Sequence, residues 1–347
     1  MYVIIAILMF GLLIAIHEFG HFATAKACNV RVDEFSIGMG PAIFKRQKGE
    51  TQYSLRILPI GGFCAMGEDE ESEDARAFPN QSFLKRFLIL CAGSAMNFIL
   101  GVILIVLMYS GAEAFRAPVI DSFLDGCEYN SADAFHEGDK FYSIDGHRIY
   151  LISDVSMFLE RGSGVYDIVM LRDGEKVRFD DMKLVPTVQS EDGLKYGFVW
   201  GIDMASFGTK LEYTWNTAKE FSRLVWLGLG DLIHGAVGVD DMAGPVGIVD
   251  MMNDVGSSAE SAADAAYSML YFSAFIAINL AIMNMLPIPA LDGGRVFLMI
   301  VTVVIEAITR RKLDPKYESY IHAAGMALLL ILMAFIMYND IARLITG

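Results

Sequence analysis

The first residues of the chain, MYVIIAILMFGLLIAI, carry no charge and run straight into His17-Glu18-Phe19-Gly20-His21. An apolar run of about twenty residues is stable as a helix across lipid, where every backbone N–H and C=O must be paired within the segment. On that helix His17 and His21 fall one turn apart on one face, with Glu18 beside the first imidazole. This HExxH spacing supplies two nitrogen ligands to a tetrahedral zinc and a carboxylate to accept a proton from water. Ionisable groups at membrane depth are costly and mark functional sites.

Three further apolar runs reinforce the membrane reading. They cover about residues 87–111, 268–290 and 320–338, beside the first at about 2–24. Each is near the ~20 residues a span requires. A shorter stretch, about 296–306, reads as a core or interfacial helix after the third span. Hydrophobic residues make up 54% of the chain, as a polytopic membrane protein requires. Ala23-Thr24-Ala25 resembles a signal-peptide cleavage site, but no Lys or Arg precedes the apolar run, so a retained helix is expected. The net charge of −15 argues against a nucleic-acid partner, which would require a basic face. Cys28, Cys64, Cys91 and Cys127 form no CxxC pair and read as unreactive thiols rather than a disulfide framework.

Four spans leave three connections. The first, 25–86, carries about nine Lys and Arg residues. The third, about 307–319, is short and basic, with Arg310, Arg311, Lys312 and Lys316. The second, about 112–267, is long and acidic. The positive-inside rule places the first and third connections in the cytoplasm and the large acidic one, with both termini, outside. The expected organisation is four parts. Residues 1–111 hold two transmembrane helices and a β region. Residues 112–200 form an extracytoplasmic α+β domain. Residues 201–267 form a linker with an amphipathic helix, and 268–347 hold two more spans.

Within the first connection, VRVDEFSIGMGPAIFKRQ and TQYSLRILPIGGFCAMGE read as short strands with Gly turns. Apolar strands beside a membrane site suggest a sheet dipping into the bilayer, whose edge can pair with an unwound peptide segment. A purely structural hairpin fits the same residues. The acidic patch from Glu68 to Asp74 reads as a solvated loop. In the outer domain, Asp145-Gly146 marks a hairpin turn, Ile152–Leu159 a short helix, and Arg172-Asp173-Gly174 a turn joining two strands. Residues 207–239 have helical apolar spacing, suited to the membrane surface or to packing against the outer domain.

A catalytic zinc needs a third protein ligand and an open position. The candidate is Asp292, in NMLPIPALDGG at the end of the third span, where Pro287, Pro289 and the Gly pair break the helix. The alternative is an Asp that caps a helix or closes a turn. His136, His147, His234 and His322 read as ordinary surface or packing residues.

Taken together, HEFGH, SIGMGP, RILPIGGF, AGSAMNF, GDKFYSIDGHRI, AGPVGI and NMLPIPALDGG resemble the site-2 family of intramembrane zinc metalloproteases, most closely the bacterial regulator of sigma-E protease type. The resemblance covers nearly the whole chain in order. It implies a polytopic α-helical membrane protein of four transmembrane helices, with a membrane-associated β-hairpin or sheet and one inserted PDZ-like domain. It implies Zn2+ on His17, His21 and Asp292, with Glu18 catalytic. Asn97, Asn284, Gly38, Gly40, Ile60, Gly61 and Gly62 would support the site or the substrate strand. Two positions depart from the family pattern: Ser94 stands where Pro is usual, and Phe135 where Gly is common.

The implied function is endoproteolysis of single-span membrane proteins, such as an anti-sigma factor already cut by an upstream site-1 protease, or of remnant signal peptides. The implied location is the bacterial inner membrane, with the active site near the cytoplasmic side and the PDZ-like domain outside. A non-catalytic PDZ-like scaffold and a metal transporter are the competing readings. The intact HExxH and LDGG argue against the first, and the large outer domain against the second.

Overall fold

The computed structural model describes residues 2–67, 74–131, 134–190, 193–238, 243–311 and 315–346. The acidic patch expected as a loop lies outside the described residues except for Asp74, and so does Lys312. In chain order the elements are α1 (Tyr2–Ala27), β1 (Glu34–Lys48), β2 (Thr51–Ala65), α2 (Phe83–Ser110), β3 (Ala114–Phe123), β4 (Lys140–Ile144), β5 (His147–Arg148) and α3 (Ile152–Arg161). They continue with β6 (Val165–Arg172), β7 (Glu175–Lys183), β8 (Val188–Ser190), β9 (Gly193–Lys195), β10 (Phe198–Met204) and α4 (Phe207–Ile233). Last come α5 (Pro245–Ser257), α6 (Ala262–Asn284), α7 (Asp292–Thr309) and α8 (Pro315–Thr346).

Four helices are long and apolar enough to cross a membrane: Tyr2–Ala27, Phe83–Ser110, Ala262–Asn284 and Ser319–Arg343. These are the four expected spans, with one shift. The third was expected to reach residue 290, but α6 stops at Asn284. Pro287 and Pro289 offer no N–H and disfavour helical backbone in the residue before each. α1 ends where Asn29 takes a left-handed φ of 57° and Val30 N–H bonds back to Ala25 O.

The chain divides into two compact units, Met1–Ile105 with Phe221–Gly347, and Val106–Glu220. In the first, β1 and β2 pair antiparallel, and both strands bend. Glu34–Ile37 thereby has partners on two sides, Gln52–Leu55 and Gly62–Ala65. The bends fall at Gly38, Gly40 and Gly61, all with φ between 83° and 91°. Only glycine adopts that backbone without strain. One apolar cluster joins Ala25, Val30, Val32, Met66, Phe78, Ile89, Leu90 and Val296. A second joins Ala6, Met252 and Met269, so α1 is gripped at both ends.

The second unit is built on a sheet of order β10-β3-β4-β6-β7, with β5 paired to β4. Asp145-Gly146 and Asp173-Gly174 turn its hairpins with φ of 48°, 78°, 53° and 85°. Paired positive φ values match the right-handed twist of the strands they join. Phe135 is fully buried, with its ring 5.2 Å from Phe179, 5.7 Å from Phe141 and 5.7 Å from Phe198. This aromatic core occupies the space that a glycine at that position would leave empty. Arg172 forks onto the buried Asp139, with Nε and Nη2 each 2.8 Å from a carboxylate oxygen. Early in α4, Tyr213 stacks on Phe115 at 4.2 Å and donates to Asp203. From Phe221 onward the helix belongs to the first unit, where the Phe221 ring meets Tyr271 and Phe275 of α6 edge-on. These contacts cover one face of α4, while Phe207, Trp215, Trp226 and Ile233 stay exposed.

Candidate metal centre

His17 and His21 face α2 from the second half of α1. Both are buried, at 8% and 6% exposed. Their Nε2 atoms stand 3.2 Å apart, and Asp292 Oδ2 lies 3.1 Å from one and 3.2 Å from the other. A zinc bound at 2.0–2.1 Å with tetrahedral angles would separate its ligand atoms by about 3.3 Å. The triangle is therefore sized for such an ion.

The protonation pattern points the same way. His21 Nδ1 lies 2.8 Å from Ile89 O, and a carbonyl only accepts, so Nδ1 carries the hydrogen. In the neutral imidazole the Nε2 lone pair then faces Asp292 Oδ2, a buried oxygen without a hydrogen-bond partner. Converging lone pairs repel in a low dielectric unless a cation sits between them. His17, His21 and Asp292 form the one cluster of potential metal ligands among the described residues.

Support comes from α2. Asn97 is fully buried, with its amide nitrogen 3.4 Å from His17 Nδ1 and its Oδ1 unpartnered. Amide N and O are interchangeable by a flip, and the flipped Asn97 accepts from His17 Nδ1–H and satisfies both groups. Gly93, which the sequence reading passed over, is as important. A Cβ there would stand 2.4 Å from His21 Nε2 and 2.7 Å from His17 Cε1. Gly20, inside HEFGH, would meet Ala92 O at 2.4 Å. α1 and α2 are thus held at backbone contact by small residues, as in tightly packed membrane helices. The available signal was the small-residue run Ala92-Gly93-Ser94-Ala95, one turn before Asn97.

The LDGG glycines act on the third ligand. Asp292 opens α7, and a Cβ on Gly293 or Gly294 would press within 2.3 Å or 2.1 Å of the backbone at Met285 or Ile288. The helix start therefore nests under the Pro-containing loop. Asn284 is the last residue of α6, half-buried. Gly62 lies against the site, since its Cβ would stand 3.3 Å from Glu18 Cγ. Ile60 lies in β2 just ahead of the Gly61 bend. Gly38 and Gly40 make their close contacts with Arg56, Ile57 and Leu58 of β2.

The remaining histidines separate. His147 stacks on Phe158 at 4.6 Å, His136 N–H bonds to Asp139, and His234 turns onto Gly230 O. His322 is not an ordinary packing residue: its Nδ1 accepts from Ala290 N–H, two residues before Asp292. The four cysteines are free and partly buried.

Two imidazoles, a carboxylate and an adjacent glutamate, in a chain with four membrane-length helices, define a multi-pass membrane zinc metalloprotease. The chain belongs to peptidase family M50, whose family model matches residues 5–332. A Clostridium perfringens protein provisionally described as a zinc metalloprotease is 33% identical over 348 residues, 98% of each chain. The zinc metalloprotease RasP of Bacillus licheniformis is 28% identical over 428 residues, 99% of each chain. The regulator of sigma-W protease RasP of Bacillus subtilis is 28% identical over 429 residues, covering 99% of this chain and 98% of its own.

Proposed function

We propose that this chain is an intramembrane endopeptidase that cuts single-span membrane proteins. The observation that carries this reading is the donor triangle of His17, His21 and Asp292 at 3.1–3.2 Å, with Glu18 on the same helix. Zinc held there would act as a Lewis acid and acidify a water molecule. Glu18 takes the proton of the attacking water and passes it to the leaving amine as the peptide bond breaks. Asn97 and Ile89 O hold the two imidazoles with their Nε2 lone pairs inward. Asn284 and the Gly38, Gly40, Ile60, Gly61 and Gly62 segments serve the substrate strand, and the placement of Gly62 against Glu18 supports this. A substrate must unwind to be cut, and pairing with a strand edge satisfies its freed backbone groups.

The charge distribution supports an orientation with the site near the cytoplasmic side of a bacterial inner membrane. Residues 112–200 act as an extracytoplasmic PDZ-like module, and 201–267 link it to the last spans. The naming of a relative as a regulator of sigma-W protease favours anti-sigma-like substrates, supplied by a prior cut, beside remnant signal peptides. The deciding experiment compares Glu18→Gln with wild type on a reporter membrane peptide in liposomes. Cleavage should fall by about a hundredfold or more while bound zinc persists. A Glu18→Gln protein that still cuts would rule the reading out.

A further inference from the structure

The segment between α6 and α7 leads directly into the third ligand, Asp292, yet it has neither helix nor strand to satisfy its backbone. Its donors can be followed one by one. Met285 N–H bonds to Ile282 O at 3.0 Å, Leu286 to Met283 O at 3.1 Å, Ile288 to Leu286 O at 2.7 Å and Leu291 to Ile288 O at 3.2 Å. Pro287 and Pro289 have no N–H to satisfy. Ala290 is the remaining residue. Its φ of 82° lies in the left-handed region, which a non-glycine residue occupies only when its surroundings hold it there. Its N–H turns away from the loop and is accepted by His322 Nδ1 on α8 at 3.3 Å.

A second contact fixes the same helix against the same loop. Gly325, one turn beyond His322 on that face of α8, lies so near Pro289 that an added Cβ would come within 2.3 Å of the proline ring. Most of α8 is exposed, with apolar side chains such as Leu328, Ile331 and Phe335 facing outward. Its inward stripe therefore meets the loop that precedes Asp292 at His322 and Gly325.

We propose that His322 is a positioning residue for the metal centre. By accepting the Ala290 N–H, it locks the left-handed turn that sets Asp292 at the head of α7, with Oδ2 in line with the two imidazoles. Without that acceptor the N–H is left unpaired at membrane depth, and the loop relaxes to find another partner. The inference rests on the zinc reading of the site, and metal binding separates the two.

The test uses the full chain in detergent micelles, stripped of metal and titrated with Zn2+ against a chromophoric chelator. His322→Leu keeps the bulk and removes the acceptor; His322→Asn keeps an oxygen close to the place of Nδ1. Leu should weaken zinc binding by about tenfold at unchanged helical circular dichroism, and Asn should restore it to within about twofold of wild type. Should the Leu variant lose its helical signal, His322→Ala takes its place against Asn. A variant without the acceptor that binds zinc like wild type overturns the proposal, as does an Asn variant no better than Leu. A wild-type chain that takes up no zinc would instead sink the metal reading itself.

Discussion

The two units of this protein achieve order by opposite means. Around the metal centre, specificity comes from what is missing: Gly20, Gly93, Gly293 and Gly294 lack the side chains that would force backbones apart. In the unit Val106–Glu220, it comes from what fills the space, with Phe135, Phe141, Ile144, Ile168 and Met170 closing the core. Lipid tails are as apolar as leucine, so burying apolar surface gains little between spans, and close contact with directed hydrogen bonds decides the arrangement. In water, apolar burial does most of that work. Sensitivity to substitution should follow the same division.

The largest effect should come from Gly93→Ala. The new methyl group crowds the ligand nitrogen of His21, so bound zinc should be lost and proteolysis should fall by about a hundredfold or more. Metal analysis of the purified protein checks this, and unfolding of the unit Val106–Glu220 should be unchanged. A Gly93→Ala protein with full zinc content would break the comparison. Next is Phe135→Ala, which should destabilise the unit Val106–Glu220 by about 3–5 kcal/mol. Limited proteolysis within 106–220 should accelerate while zinc content holds, and loss of zinc would show that the two kinds of order are not separable.

The smallest effect concerns Glu50, in the turn between β1 and β2. Its hydrogen bonds from Lys26 and Arg76 hold its carboxyl below the ordinary 4.5. A depressed carboxyl contributes stability that is fully present above about pH 4.5 and lost as pH falls through the lower folded value. The group is exposed, so the loss should be slight and should shrink in high salt. Thermal unfolding of wild type and Glu50→Gln at pH 7 and pH 3.5 measures it. Equal pH dependence in both proteins would remove the turn from the set of ordered contacts.

Much of the architecture was legible because its signals are local. Twenty apolar residues can hardly avoid being a helix in lipid, and Asp-Gly between alternating residues specifies a hairpin turn. His17, Glu18 and His21 were legible because helical periodicity alone puts them on one face. The end of α6 was misjudged by six residues, because the apolar run continues through Leu286 and Ile288 while Pro287 forbids the helix. Gly93 and His322 were missed for another reason. Nothing near them in the chain reports what stands opposite, and a glycine or histidine inside a span has many innocent uses.

The sequence by itself determined the spans, the hairpin turns and the pair of imidazoles with their glutamate, since each depends on spacing along a few turns of backbone. Only the tertiary structure decided that α2 approaches closely enough for Asn97 to orient His17. It also decided that the Ala290 turn is held from α8 and that Asp292 completes the triangle. Those arrangements join segments far apart in the chain, and their energies come from contact through space, where periodicity carries no information.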